Sequence, residues 1–405
     1  GSPRRTVGGA GSSGILDPAG PFGDHNRVRI GKCSYDRYLG DRDGLLEING
    51  GDGTGAYHHG FRIAKATMSA FAAGETAFRD CTGEDCVASS VPRLCAPEVS
   101  DTIVLAGHSG GAHGLYFNAY ALRDHLETLG CSFGPGPDDD KIVTVHDAQF
   151  IPMLDAACLT DADGCECDGQ PDSIYCHDRQ GSSEWFNATY DDDLYSDRPS
   201  VISPYRQSLT DWNRLRPETL NPGCVADNPD DISPCLDRFH VAANYFTEIP
   251  FVLRESLADT NPEHHNPMLG HPVLWANDPG GSWNGDTWDE RSVVFARDPG
   301  NYARIVVTQA RDLMDNHATR AAGGPLAPFH IHLPHCGDHG GILGTPNFAA
   351  FAIEDGDADL PHEGLPYGEV LRSFVSQIEA GESPHTLLAD DLGPRDSSTC
   401  STPPP

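Results

Sequence analysis

The chain has 405 residues, with 60 acidic against 27 basic side chains, a formal charge of −33 and an apolar fraction of 38%. That length supplies a large buried core in one sizeable domain or a few smaller ones. A surplus of negative charge repels phosphate backbones and excludes nucleic-acid binding as a main role, and no apolar run reaches the ~20 residues of a membrane span.

Only three lysines occur, Lys32, Lys65 and Lys141. An acidic, lysine-poor surface keeps a protein hydrated and soluble; it bears on partners rather than on fold. The thirteen cysteines sit mostly in polar, Pro/Gly-rich stretches, which favours disulfides and an oxidising, extracellular compartment. Cys81, Cys86 and Cys95 form one cluster; Cys158, Cys165, Cys167 and Cys176 form another. Cys224 and Cys235 flank a polar loop and are expected to pair locally. The paired C-x-x-C spacings of a zinc site are missing. The opening Gly1-Ser2 reads as a leftover of processing or cloning, so a leader is expected to have been removed.

In chain order, residues 1–26 are Gly/Ser/Pro-rich and irregular, and a short strand starts at 28–30. Residues 57–72 have helical spacing, with Phe61, Ala64, Met68 and Phe71 on one face. The compact apolar run 102–106 predicts a buried strand, and Leu115, Ala119, Leu122, Leu126 and Leu129 predict a helix that stops at Gly130. Further strands are expected at 141–145, 250–253 and 329–333, and a last helix at 369–379 before a Pro-rich tail. Residues 158–235 are acidic and Cys-rich with little periodicity, like an inserted cap, and 262–325 form a second insertion. Alternating strands and helices predict an α/β fold: a three-layer, α/β-hydrolase-like domain over residues 1–400 with a central, mostly parallel sheet, and a tail at 401–405.

Between the strand at 102–106 and the following helix lies Gly107-His108-Ser109-Gly110-Gly111, a G-x-S-x-G match. A serine hydroxyl is a weak nucleophile unless it is exposed and hydrogen-bonded to a base. A strand-to-helix turn lifts its Oγ above the sheet, and flanking glycines permit the tight backbone path. The amide of Gly110 is then placed to stabilise an oxyanion.

The serine needs a histidine and an acid to orient it. His330 and His332 alternate within a strand and are expected to be structural. His335 and His339 lie beyond the strand end, where catalytic loops of parallel sheets gather. Asp259 follows the 250–253 strand. The order Ser109, Asp259, His339 is that of a parallel-sheet hydrolase.

These segments carry a resemblance. Asn26-Arg27-Val28-Arg29-Ile30 with Cys33, the Tyr57–Ile63 helix entry, Gly107-His108-Ser109-Gly110-Gly111, Val145-His146-Asp147-Ala148-Gln149-Phe150, the Cys224/Cys235 pair, the Ile249–Asp259 strand and Cys336-Gly337-Asp338-His339 occur in the order found in the pectin acetylesterase family, which includes the lipid deacylase Notum. The resemblance implies Ser109 as nucleophile, His339 as general base and acid, Asp259 as orienting carboxylate, and His108, Asp147 and Phe150 lining a substrate pocket. It implies an acylated carbohydrate or related ester as substrate, and no cofactor. In that family a Gly-Gly-x-Trp segment supplies a second oxyanion donor. Here no tryptophan precedes Trp185, and only Gly8-Gly9 stand near the corresponding position.

Two other chemistries are open to these residues. The His330–His339 cluster, with His332, His335, His339 and Asp338, offers transition-metal donors for a metal-dependent hydrolase. Asp161, Asp163, Glu166 and Asp168, and likewise Asp355, Asp357 and Asp359, offer oxygen ligands for calcium. A non-catalytic extracellular binding protein on the same scaffold is the third reading.

Overall fold

The computed structural model describes residues 13–31, 59–74, 100–136, 138–147, 220–229, 238–257, 325–334, 341–343 and 364–389, with short pieces at 6–7, 46–47, 55–56, 78–80, 87–89, 93–96, 282–283 and 286–287 and isolated positions at 235 and between 307 and 353. The elements that matter, in chain order, are α1 (Gly60–Ala72), β1 (Thr102–His108), α2 (Gly110–Thr128), β2 (Lys141–Asp147), α3 (Pro222–Asp227), α4 (Arg238–Tyr245), β3 (Phe251–Arg254), β4 (Phe329–Leu333), α5 (Tyr367–Glu379) and β5 (His385–Ala389).

The five strands form one all-parallel sheet in the order β5-β4-β3-β2-β1. This is an α/β architecture. β2, β3 and β4 are buried along their whole length; β2 and β3 accordingly run largely apolar, while β4 alternates Phe329, Ile331 and Leu333 with the buried His330 and His332. Side chains nevertheless leave alternate faces of each strand, and two cores result. Ile142, Phe251, Leu253, Phe329 and Ile331 pack with α1, α2 and α4 on one face. Val143, Val145 and Val252 pack with Tyr367, Leu371, Phe374 and Val375 of α5 on the other. The α2 face holds an aromatic cluster in which Phe246 lies 5.6 Å from Tyr116 and 5.3 Å from Phe251, with the His146 ring tilted against Tyr116 at 4.4 Å.

Several expectations are met. α1 buries Phe61, Ala64 and Met68, and α2 buries Leu115, Ala119, Leu122 and Leu126 and ends before Gly130. One is corrected: the chain does not pass from α5 straight into a tail, because β5 follows and pairs with β4 over five residues.

The residues at the end of the 158–235 segment belong to the main core. Leu220, Cys224 and Cys235 are buried in the same cluster as α2. Asn221 caps α3 by accepting from the Cys224 amide at 3.1 Å, and its amide nitrogen donates to Tyr245 O. Tyr120 of α2 donates to that same carbonyl at 2.9 Å. Cys224 pairs with Cys235 as expected, whereas Cys95 pairs not within its sequence cluster but with Cys131 beyond α2. Closing an 11-residue separation constrains the unfolded chain by about 3 kcal/mol. The Cys224→Ser/Cys235→Ser protein is therefore expected to lose that much stability in urea unfolding, and an unchanged midpoint would show that packing alone holds the segment. Two disulfides fit an oxidising compartment. Among the described residues no helix is long and apolar enough to cross a membrane.

Candidate active site

Ser109 is the single residue between β1 and α2, at φ 53° and ψ −121°. A non-glycine residue with positive φ is uncommon and costs energy that the surroundings must supply. They do so locally. The Ser109 amide donates to the Asp147 carbonyl at 2.9 Å, which fixes the turn against the end of β2. Gly107 makes the turn sterically feasible: a Cβ there would lie 2.4 Å from the Gly111 carbonyl oxygen. Although Ser109 stands at the N-cap of α2, its hydroxyl does not cap the helix. A serine in that position ordinarily spends its oxygen on the first-turn amides. Gly110 opens the helix, and first-turn amides have no acceptor within it, so its N–H is of the kind that receives an oxyanion.

The carboxyl ends of the strands align in one row. His108 pairs in register with Asp147, Asp147 with Arg254, and Arg254 with His332. Being in register, these four side chains leave the same face of the sheet, the face covered by α5. Asp147 is fully buried. His108 Nδ1 lies 2.9 Å from its Oδ2, and Arg254 Nη1 donates to Oδ1 at 3.3 Å. The amides of Gly341 and Ile342 donate to the same carboxylate at 2.8–3.0 Å. Burial acts to raise the Asp147 carboxyl, but the Arg254 charge, the His108 hydrogen bond and the Ile342 amide outweigh it and hold it below the usual carboxylate range.

Arg254 is itself 2% exposed, with its guanidinium 5.7 Å from the centre of the Tyr367 ring. Burial first, then the nearby Asp147 charge, push the Tyr367 phenol well above its usual range, against the opposing effect of Arg254. The His332 ring lies tilted against Tyr367 at 4.6 Å, and His330 Nδ1 bonds Thr386 Oγ1 at 2.7 Å. Both histidines are buried in the sheet, as a structural role requires.

Of the residues singled out by sequence, Ser109, Gly110, His108 and Asp147 meet at the carboxyl edge of β1 and β2. Asp147 stands beneath that edge with no exposed surface, rather than in an open pocket lining. Asp259, His339 and Phe150 lie outside the described residues, as do His335, Asp338 and both acidic runs considered for calcium. The described chain comes close to the first two. Beyond the strand ends, β3 and β4 stay joined: Glu255 N–H donates to His332 O and Leu257 N–H to Pro334 O. Asp259 is two residues past Leu257, and His339 is two residues before Gly341.

Sequence reasoning did not single out Arg254, Gly341 or Ile342. The signal for Arg254 was a charged residue closing the apolar run Phe251-Val252-Leu253, a pattern ordinarily read as the strand emerging into solvent. Among the described residues, the one group with metal-ligand spacing is Cys95, Cys131 and Asp140. Its two sulfurs are joined in a disulfide, so it offers no thiolate for a metal. No protein-family model matches the chain, and no curated protein matches it.

Proposed function

We propose that the protein is a secreted serine esterase on an α/β-hydrolase-like scaffold, similar to pectin acetylesterases, acting on an acylated carbohydrate or a related carboxylic ester. The observation that carries the reading is Ser109, held at positive φ between a parallel strand and its helix with a hydroxyl that does not cap that helix. That conformation costs stability, and a nucleophile on a strand-to-helix turn needs it.

In the proposed reaction Ser109 Oγ attacks the ester carbonyl while His339 takes its proton and Asp259 holds the imidazole tautomer. The tetrahedral oxyanion rests on the Gly110 amide. Collapse expels the alcohol, which carries away the proton from His339. Water then attacks the acyl-enzyme with His339 again as base, releasing the acid and restoring Ser109. The protein's own side chains carry every proton.

The test is labelling by a fluorophosphonate probe, together with hydrolysis of p-nitrophenyl acetate and octanoate, for the native chain and Ser109→Ala. Labelling confined to Ser109, and hydrolysis lost in the variant but indifferent to chelator, is the expected result. The acyl preference assigns deacetylase or lipid esterase. Hydrolysis that survives Ser109→Ala and dies with chelator would overturn the reading in favour of a metal at the histidine cluster. A native chain neither labelled nor active would favour a binding role.

A further inference from the structure

We infer that Asp147 is the positioning residue of this site: its carboxylate fixes the loop that follows His339 against the turn that carries Ser109. The inference rests on the serine-esterase reading.

Asp147 reaches both sides of the proposed chemistry. Its main-chain carbonyl accepts from the Ser109 amide, and its carboxylate accepts from His108, the neighbour of Ser109. The same carboxylate receives the consecutive amides of Gly341 and Ile342. Gly341 follows His339 by two residues in the chain, so the clamp acts on the segment next to the proposed base. The loop is gripped from its other side as well. Ile15 N–H donates to Ile342 O at 2.8 Å, and Ser13 Oγ donates to Leu343 O at 2.7 Å.

A carboxylate has about four lone-pair sites. Gly341, Ile342, Arg254 and His108 supply four donors, and the group has no exposed surface. Asp147 therefore does not touch substrate and acts through the loop and the turn. Arg254 supplies the opposing charge and also sets the loop's approach. A Cβ on Gly341 would lie 2.6 Å from Arg254 Nε, so only glycine lets the backbone come within reach of the carboxylate.

The test compares native chain, Asp147→Asn, His339→Ala and the double variant. An amide keeps the shape but turns an NH2 toward the loop amides. The kcat for p-nitrophenyl acetate is expected to fall about 10²-fold with KM unchanged, the loss typical of a catalytic group misplaced by about an ångström. In the His339→Ala background the same substitution is expected to cost nothing further, because both changes disable one unit. Hydrogen exchange at the Gly341 and Ile342 amides, slow in the native chain and fast in Asp147→Asn, reads the clamp whether or not the esterase reading holds.

Full kcat in Asp147→Asn would overturn the inference, and so would an undiminished fold-loss in the His339→Ala background, the mark of a purely structural role. Should Asp147→Asn not fold, Gly341→Ala displaces the same loop with every charge intact, and full kcat there would overturn it equally. A native chain that Ser109-directed probes do not label would sink the esterase reading instead, while slow amide exchange would still report the clamp.

Discussion

Ser109→Gly is expected to abolish ester hydrolysis and at the same time to yield a more stable protein than Ser109→Ala. Both variants remove the proposed nucleophile, and loss of a triad serine costs on the order of 10⁴–10⁶ in kcat. They differ in backbone freedom. At φ 53° and ψ −121° any residue with a Cβ carries about 1–3 kcal/mol of strain. Glycine adopts the same conformation without steric cost, though it loses about 0.5–1 kcal/mol more conformational entropy than alanine on folding. The balance favours glycine by about 1 kcal/mol. Urea unfolding of the two variants measures it directly. A glycine variant no more stable than the alanine one would mean that the turn relaxes in solution, and the argument from strain to function would fall with it.

Arg254→Met is expected to be the most damaging single change to the fold, costing about 3–5 kcal/mol, because it leaves a fully buried carboxylate without its compensating charge. A methionine fills much of the same volume, so the loss is electrostatic more than one of packing. The pH dependence follows from the direction of the Asp147 shift. A carboxyl held below its usual value of about 3.9 in the folded state contributes stability that is present above that value. The contribution is lost as pH falls through the lowered folded value. Without Arg254 the strongest lowering influence is gone and burial, which raises the carboxyl, remains. A carboxyl raised by burial in the folded state costs stability at neutral pH and is relieved on protonation, so the variant's deficit against the native chain should narrow as pH falls. Urea unfolding from pH 7 down to pH 4 resolves this, and parallel curves offset by a constant would show that Arg254 matters for packing alone.

The strands and the turn at Ser109 were legible in the sequence for the same reason: both are local. Apolar, largely β-branched residues at 103–106, 142–145 and 250–253 announce strands of a parallel sheet, although the first, expected to be buried, is only half-buried. The glycine spacing around Ser109 is legible because it is imposed by contacts within five residues. β5 was missed because His385-Thr386-Leu387-Leu388-Ala389 lies at the edge of the described sheet and buries only Leu388, so no apolar run marks it. The Asp147–Arg254 pair was beyond reach for a different reason. Its partners are 107 residues apart, and only the register of two parallel strands brings them together. The backbone amides of Gly341 and Ile342 leave no mark in composition at all. Hence Asp147 reads from sequence as a residue facing substrate, although its carboxylate is wholly engaged in holding chain to chain.

The strand order follows the chain order without interruption. Every connection must therefore cross from the carboxyl end of one strand to the amino end of its neighbour, one strand spacing (about 4.8 Å) to the side and a strand length back. Residues 148–250 and 255–328 both satisfy that condition. Because the entropy of closing a loop grows only with the logarithm of its length, lengthening either excursion costs the sheet little, whereas exchanging one whole would strip Leu220 and Cys224, or Leu313 and Leu326, from the core. On the proposed esterase reading, specificity can be recast in those two connections while the serine turn and the buried arginine–aspartate pair stay as they are.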